Sequence, residues 1–238
     1  KKLSMIKSLK LSYNRRITRP SSYYINPNMN RTDNKNLVIG NPKLEPSISN
    51  QLELGYNSFS MLYQGSYYFY AKRSYDIIES NVTVRNDTSI TDYLNIGESE
   101  KYGFNYYGSL MLGVVNLRGG FNAYLYLAEG DQYGKITLED KIILYNYNFG
   151  GTVNLGNNYK FETWGWFSSP TQTLQGQTAN FSMMSFGVKK DFKNKRGSIG
   201  IRVIEPFSKY KNFDSEINGS NFYQYNNRQL TFRSIGIS

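Results

Sequence analysis

The sequence predicts an all-β fold, an antiparallel transmembrane β-barrel, from three observations. Apolar and polar residues alternate with a period of two along stretches of more than ~10 residues. No stretch reaches the ~18 consecutive apolar residues of a membrane helix. The connections between alternating stretches are sorted, short at one end and long at the other, as in barrels that cross membranes.

The alternation is cleanest from Leu117 to Leu127. Leu117, Phe121, Ala123, Leu125 and Leu127 fall on one face, and Arg118, Asn122, Tyr124 and Tyr126 on the other. The next stretch repeats it. Ile143, Tyr145, Tyr147, Phe149, Val153 and Leu155 oppose Asn146, Asn148, Thr152 and Asn154. Ten strands follow from this pattern, at about 3–13, 47–57, 61–84, 91–111, 115–128, 141–155, 158–169, 176–191, 197–206 and 222–238. Short turns fall at 57–60, 112–114, 156–157 and 192–196, and long loops at 14–46, 85–90, 129–140, 170–175 and 207–221. Short turns are periplasmic in such barrels, so the long loops are expected outside the cell.

Composition agrees. The 238 residues include 22 Tyr, 14 Phe and 2 Trp, and Tyr combines an apolar ring with a wet hydroxyl, which suits a membrane–water interface. The mean hydropathy of −0.56 is low for a chain in lipid, but alternation halves the apolar share of each strand. There is no Cys and no His, which removes thiolate sites, the commonest general base and the commonest transition-metal ligand. No enzyme, cofactor or metal site is expected. Glu98 and Glu100 share a strand face and are read as solvated lumen residues; Glu129, Asp131, Glu139 and Asp140 fit no EF-hand spacing. The net charge of +10 comes from basic residues scattered singly, densest around Lys189–Arg196, so no nucleic-acid partner is expected.

Two groups are candidate ligand-facing residues. Trp164 and Trp166 share a face with Lys160 and Glu162. In the lumen they stack on sugars or other flat ligands; in an interfacial girdle they only anchor the wall. Arg15, Arg16 and Arg19 gather near a strand end, where they meet either lipopolysaccharide phosphates, an anionic substrate or only solvent.

A family resemblance rests on residues 11–56. Leu11–Pro20 reads L-S-Y-N-R-R-I-T-R-P, and Gly40–Pro46 reads G-N-P-K-L-E-P before Asn50–Tyr56. This order resembles the TonB-dependent-receptor-like outer-membrane β-barrels of the Bacteroidota type, with weaker echoes at Tyr102–Phe104, Phe186–Lys190 and Leu230–Arg233. Gly40, Asn41, Pro42 and Pro46 form a structural loop motif. The prolines bias the chain toward extended backbone, and Gly40 is expected to allow positive φ. The chain departs from the family at Ser47, where a Glu is usual, and at its end, where an aromatic residue is usual.

The resemblance implies a cell outer membrane location in a Gram-negative bacterium. It implies that 1–238 is one β-barrel segment, about ten strands of a larger barrel of about 22. The N-terminal plug and earlier strands, and the last few residues, are then absent. It implies uptake of a nutrient (siderophore, glycan or peptide), with TonB acting through the plug. Outer-membrane lipid, lipopolysaccharide and a surface lipoprotein are the implied partners. The rival expectation is a structural or assembly subunit of a larger outer-membrane complex with no transport of its own.

Overall fold

The computed structural model describes residues 6–28, 30–33, 35–130, 134–136, 142–193, 196–219 and 222–237, with only the backbone of 30–32 and 134–136. Residues 3–5 of the expected first strand, and Asp131, Glu139 and Asp140, lie outside the described residues.

In chain order, β1 (Ile6–Thr18) leads through helix α1 (Ser22–Ile25) and short strands β2 (Asn30–Asp33) and β3 (Asn36–Val38) to β4 (Ser47–Phe59). Then come β5 (Tyr63–Tyr75), β6 (Ile78–Arg85), β7 (Thr88–Asn95), β8 (Glu98–Leu112), β9 (Val115–Gly130), β10 (Gly134–Ile136), β11 (Ile143–Gly156) and β12 (Tyr159–Ser168). The chain ends with β13 (Gln172–Thr173), β14 (Gly176–Gln177), β15 (Phe181–Asp191), β16 (Ser198–Ile204), β17 (Tyr210–Asn218), β18 (Tyr223–Thr231) and β19 (Ser234–Ile237).

One antiparallel sheet carries the architecture, in the order β1-β4-β5-β8-β9-β11-β12-β15-β16-β19, with β10 added beside β9. The wall thus has the expected ten strands as an up-and-down meander. It is open, with β1 and β19 at its two edges. At ~3.4 Å per residue, the 16 residues of β9 extend roughly 54 Å, well beyond the ~9–11 residues a tilted strand needs to cross lipid. The surplus lies on the long-loop side, since the hairpin turns at 60–62 and 113–114 are tight.

The two faces differ in chemistry because side chains alternate. On the apolar face, register partners form rows such as Leu11–Leu54–Phe69–Phe104–Ala123–Tyr145 and Tyr56–Tyr67–Tyr106–Phe121–Tyr147–Phe167. Ring centroids are 5.1 Å apart for Tyr67–Tyr106, 5.0 Å for Phe69–Phe104 and 4.7 Å for Tyr147–Phe167. Each such cross-strand pair contributes about 0.2–1 kcal/mol. Leu11, Phe69 and Ile143 stay exposed on this face among the described residues. The Tyr63 and Tyr67 hydroxyls bond each other, so neither faces lipid unpaired. The opposite face carries Gln51, Lys72, Asn105, Asn122, Asn146, Trp164, Glu162 and Arg202.

The expected strands 61–84 and 91–111 are each broken in two. The hairpin kinks at Asp76 (φ 53°) and Gly97 (φ 102°), while Ile77 N–H donates to the Gly97 carbonyl at 3.2 Å and Ile96 N–H to the Ile77 carbonyl at 2.9 Å. The pairing therefore continues through a bend, and β6–β7 leaves the wall to join β2 and β3 in a separate sheet containing one parallel pair, β3–β7. The expected last strand, 222–238, is also broken. β18 pairs β17, and only β19 returns to the wall. The loop expected at 207–221 thus contains β17, and the one at 170–175 contains β13, while the expected strand 176–191 is split into β14 and β15. A second small sheet, β13-β14-β17-β18, zips these two excursions together.

Gly40 does not take positive φ, contrary to the sequence expectation. It is glycine because the Asn26 backbone packs where a Cβ would stand, and Gly40 N–H donates to the Asn26 carbonyl at 2.9 Å. Asn41 donates its amide to the Tyr93 carbonyl at 2.9 Å and accepts from Lys43 N–H at 3.0 Å. Pro42 lies within this turn, and Pro46 directly precedes β4.

Candidate functional site

Over the long-loop half of the polar face the excursions form a cap. Tyr126, Ala128 and Leu144 on β9 and β11 are buried there, with Leu174 from the β13–β14 turn packed on them. Gln175, only 6% exposed, clamps the β6 backbone. Its Oε1 accepts from Val82 N–H at 2.8 Å and its Nε2 donates to the Val82 carbonyl at 3.1 Å. Glu79 Oε2 accepts from Leu174 N–H at 3.0 Å. Burial raises the Glu79 carboxyl above its ordinary 4.5; the Leu174 N–H and the Lys101 ammonium pull the other way without cancelling it. At the other excursion Lys211 and Glu205 form a buried ion pair at 3.0 Å, and Glu205 also accepts from Met184 N–H at 2.8 Å.

Below the cap the polar face is open. Trp164 has Gly150 and Ser185 as register neighbours, and Gly150 in turn pairs with Arg118. The Arg118 side chain lies across Gly150, its Nε 2.8 Å from where a Cβ would stand, so the lack of a side chain at 150 brings the guanidinium toward the indole. Glu162 pairs with Arg202 at 3.2 Å. These residues, with Ser109 and Thr152, line a hollow of about 520 Å³. Among the described residues no carboxylate pairs with Arg118. Nearer the turns, Lys160 bonds Asp191 at 2.7 Å. Exposed pairs like these contribute ~0–1 kcal/mol each, so they order the surface more than they stabilise it.

Trp164 and Trp166 thus sit on the polar face with Glu162 and Arg202, not among the rings of the apolar face. The three arginines are not brought together. β1 runs to Thr18, so Arg15 and Arg16 lie inside the strand on opposite faces, Arg15 paired with Asn50 and Arg16 with Ser49, while Arg19 lies just past its end. Glu98 and Glu100 are not lumen residues. They share the apolar side of β8 with Tyr102 and Phe104, near its long-loop end, where Arg73 binds Glu98 at 2.8 Å. Sequence reasoning missed Arg118, Arg202, Tyr107 and Asn148 as neighbours of the tryptophans. The even parity of Arg118 and Asn148 was visible, but the register joining four strands was not. A hollow of about 830 Å³ on the other face is lined by Leu11, Leu52, Leu54, Phe69, Phe104 and Ile143, a surface suited to acyl chains.

A long antiparallel wall with one bare apolar face and one polar, ion-paired face is a membrane β-barrel wall, apolar side to lipid and polar side to the lumen. The chain belongs to the outer membrane protein beta-barrel family, whose model matches residues 1–238. It is a protein of the Gram-negative outer membrane. No curated protein matches it. Among solved structures it is similar to the copper transporter OprC (TM-score 0.63, 15% identity, 97% of this chain and 36% of that one). It is also similar to the FrpB iron transporter from Neisseria meningitidis, F3-3 variant (0.58, 11%, 96% and 36%). A third is the siderophore receptor PirA from Acinetobacter baumannii (0.57, 14%, 96% and 38%). At these identities the likeness is one of fold. The chain spans little more than a third of each of these structures.

Proposed function

We propose that this chain is part of the wall of a transporter that takes up a nutrient through the outer membrane, driven by TonB, and that it belongs to a longer barrel of about 22 strands. The observation that carries the reading is the lumen face itself. It holds two tryptophans, the Arg118 guanidinium and a hollow of about 520 Å³ below a cap of folded loops. A wall that served only as a docking surface needs no such aromatic and cationic lining. The fold shared with two transporters and a siderophore receptor over 96–97% of this chain supports the same reading.

Whole-cell uptake with and without a functional TonB protein tests it. Uptake of the cognate nutrient should vanish without TonB. Uptake that persists, or a stable stoichiometric set of partners purified with no solute taken up, contradicts it and favours a structural subunit.

A further inference from the structure

Directly below the cap, two registered rows cross the lumen face. Tyr107, Gly120, Asn148 and Trp166 are partners across β8, β9, β11 and β12, and Asn105, Asn122 and Asn146 are partners in the row beside them. Gly120 leaves a flat floor. The Asn148 amide nitrogen stands 3.0 Å, and a Tyr107 ring carbon 3.5 Å, from where its Cβ would be, so the strip is continuous. Tyr107 is 56% and Trp166 37% exposed. The Asn122 oxygen accepts from the Tyr70 hydroxyl at 3.0 Å, which leaves its NH₂ as the donor of that amide. No charged side chain stands in either row on these four strands.

The chemistry of the strip selects its ligand. A carboxamide donates and accepts at once, as does each hydroxyl of a sugar, so four of them in a patch match a polyhydroxylated chain. Exposed aromatic faces at both ends take the C–H faces of pyranose rings. The two rows carry no charge of their own, and the nearest cation, Arg118 in the next row, lies over Gly150. Tyr107 and Trp166 are three interstrand spacings apart, roughly 14 Å or about three sugar units.

We propose that this strip binds a neutral oligosaccharide of about three sugar units, stacked at its ends on Tyr107 and Trp166 and read between them by Asn105, Asn122, Asn146 and Asn148. The proposal rests on the transporter reading and narrows its nutrient. Titration calorimetry on the full-length protein in detergent tests it, with linear trisaccharides of glucose, mannose, galactose and xylose and the matching monosaccharides. At least one trisaccharide should bind, with its monosaccharide about tenfold weaker or more. Tyr107→Leu and Trp166→Leu should each weaken binding about tenfold. Asn148→Ala should weaken it several-fold, Trp166→Phe should restore most of the loss, and Lys43→Ala should change nothing. Heat-modifiability on gels confirms that each variant is folded. No binding at millimolar concentration, or binding indifferent to these substitutions, overturns the proposal. So does a cysteine at position 148 (Asn148→Cys) that a water-soluble maleimide cannot reach in the ligand-free protein, because the strip is then covered by the protein's own chain. Binding needs no TonB, so the two readings fail separately. TonB-dependent uptake without sugar binding overturns the site alone, and sugar binding without TonB-dependent uptake overturns the transporter.

Discussion

Gln175 holds two loops together through a single amide. Its two bonds reproduce a strand pairing to Val82 across 93 residues of sequence, and both partners are buried. Gln175→Leu keeps the volume and leaves the Val82 N–H and carbonyl unsatisfied, at a cost of about 1–3 kcal/mol. Hydrogen exchange at Val82 should accelerate accordingly while exchange in β8 and β9 does not. Glu79 gives the cap a pH dependence of opposite sign to that of a surface carboxylate. Its folded carboxyl titrates above the unfolded value, so its contribution is fully present below the unfolded pKa, near 4.5, and is lost as pH rises through the folded one. Glu79→Gln should remove that loss, seen as cap exchange rates that no longer rise with pH above 4.5 beyond the intrinsic chemical rate. Neither contact was legible in the sequence. A Gln and a Glu amid polar loops carry no sign of a partner 93 or 95 residues away.

The elements show where pattern reading succeeds and where it stops. Alternation placed nine of the ten wall strands, and the tenth, β19, only as the end of a longer stretch, since a wall strand presents one face to lipid and the other to water along its whole length. It ran β5 into β6 and β7 into β8 because backbone pairing continues through the bend, and the period of two is not interrupted there. What breaks the strand is local. Asp76 and Gly97 take positive φ, and a Cβ at Gly97 would run into the Glu129 carbonyl. Gly97→Ala should cost about 1–3 kcal/mol in local strain. It should lower the thermal midpoint of cap unfolding, read by protease sensitivity of the β6–β7 tip, before the wall melts. The Gly40 loop teaches the reverse. The motif was visible, but the reason for its glycine was close packing against Asn26, which no sequence displays.

For the whole molecule, the two faces decide everything else. The parity of Trp164 and Trp166 was readable, and so was their company of Lys160 and Glu162. That Arg118, Tyr107 and Asn148 complete the surface depends on the register of β8, β9, β11 and β12, set by turn geometry spread over 60 residues of chain. Arginine placed on the apolar face at Phe69 should destabilise the folded barrel by about 2–4 kcal/mol near the bilayer midplane, in chemical denaturation from lipid vesicles. At Asn105, one position along on the lumen face, the same change should cost less than about 1 kcal/mol. The central claim, a barrel wall with lipid on one side and water on the other, is tested most directly by cysteine scanning of β9. The chain has no cysteine of its own. Cysteines introduced singly from Arg118 to Leu125 are treated in intact outer membranes with a water-soluble maleimide and with a lipid-confined one. The account predicts strict alternation, with Leu125, Ala123, Phe121 and Gly119 reached from lipid and Tyr124, Asn122, Gly120 and Arg118 not. Equal reaction of both sets with the water-soluble reagent, or release of the protein from membranes by buffer alone, contradicts it.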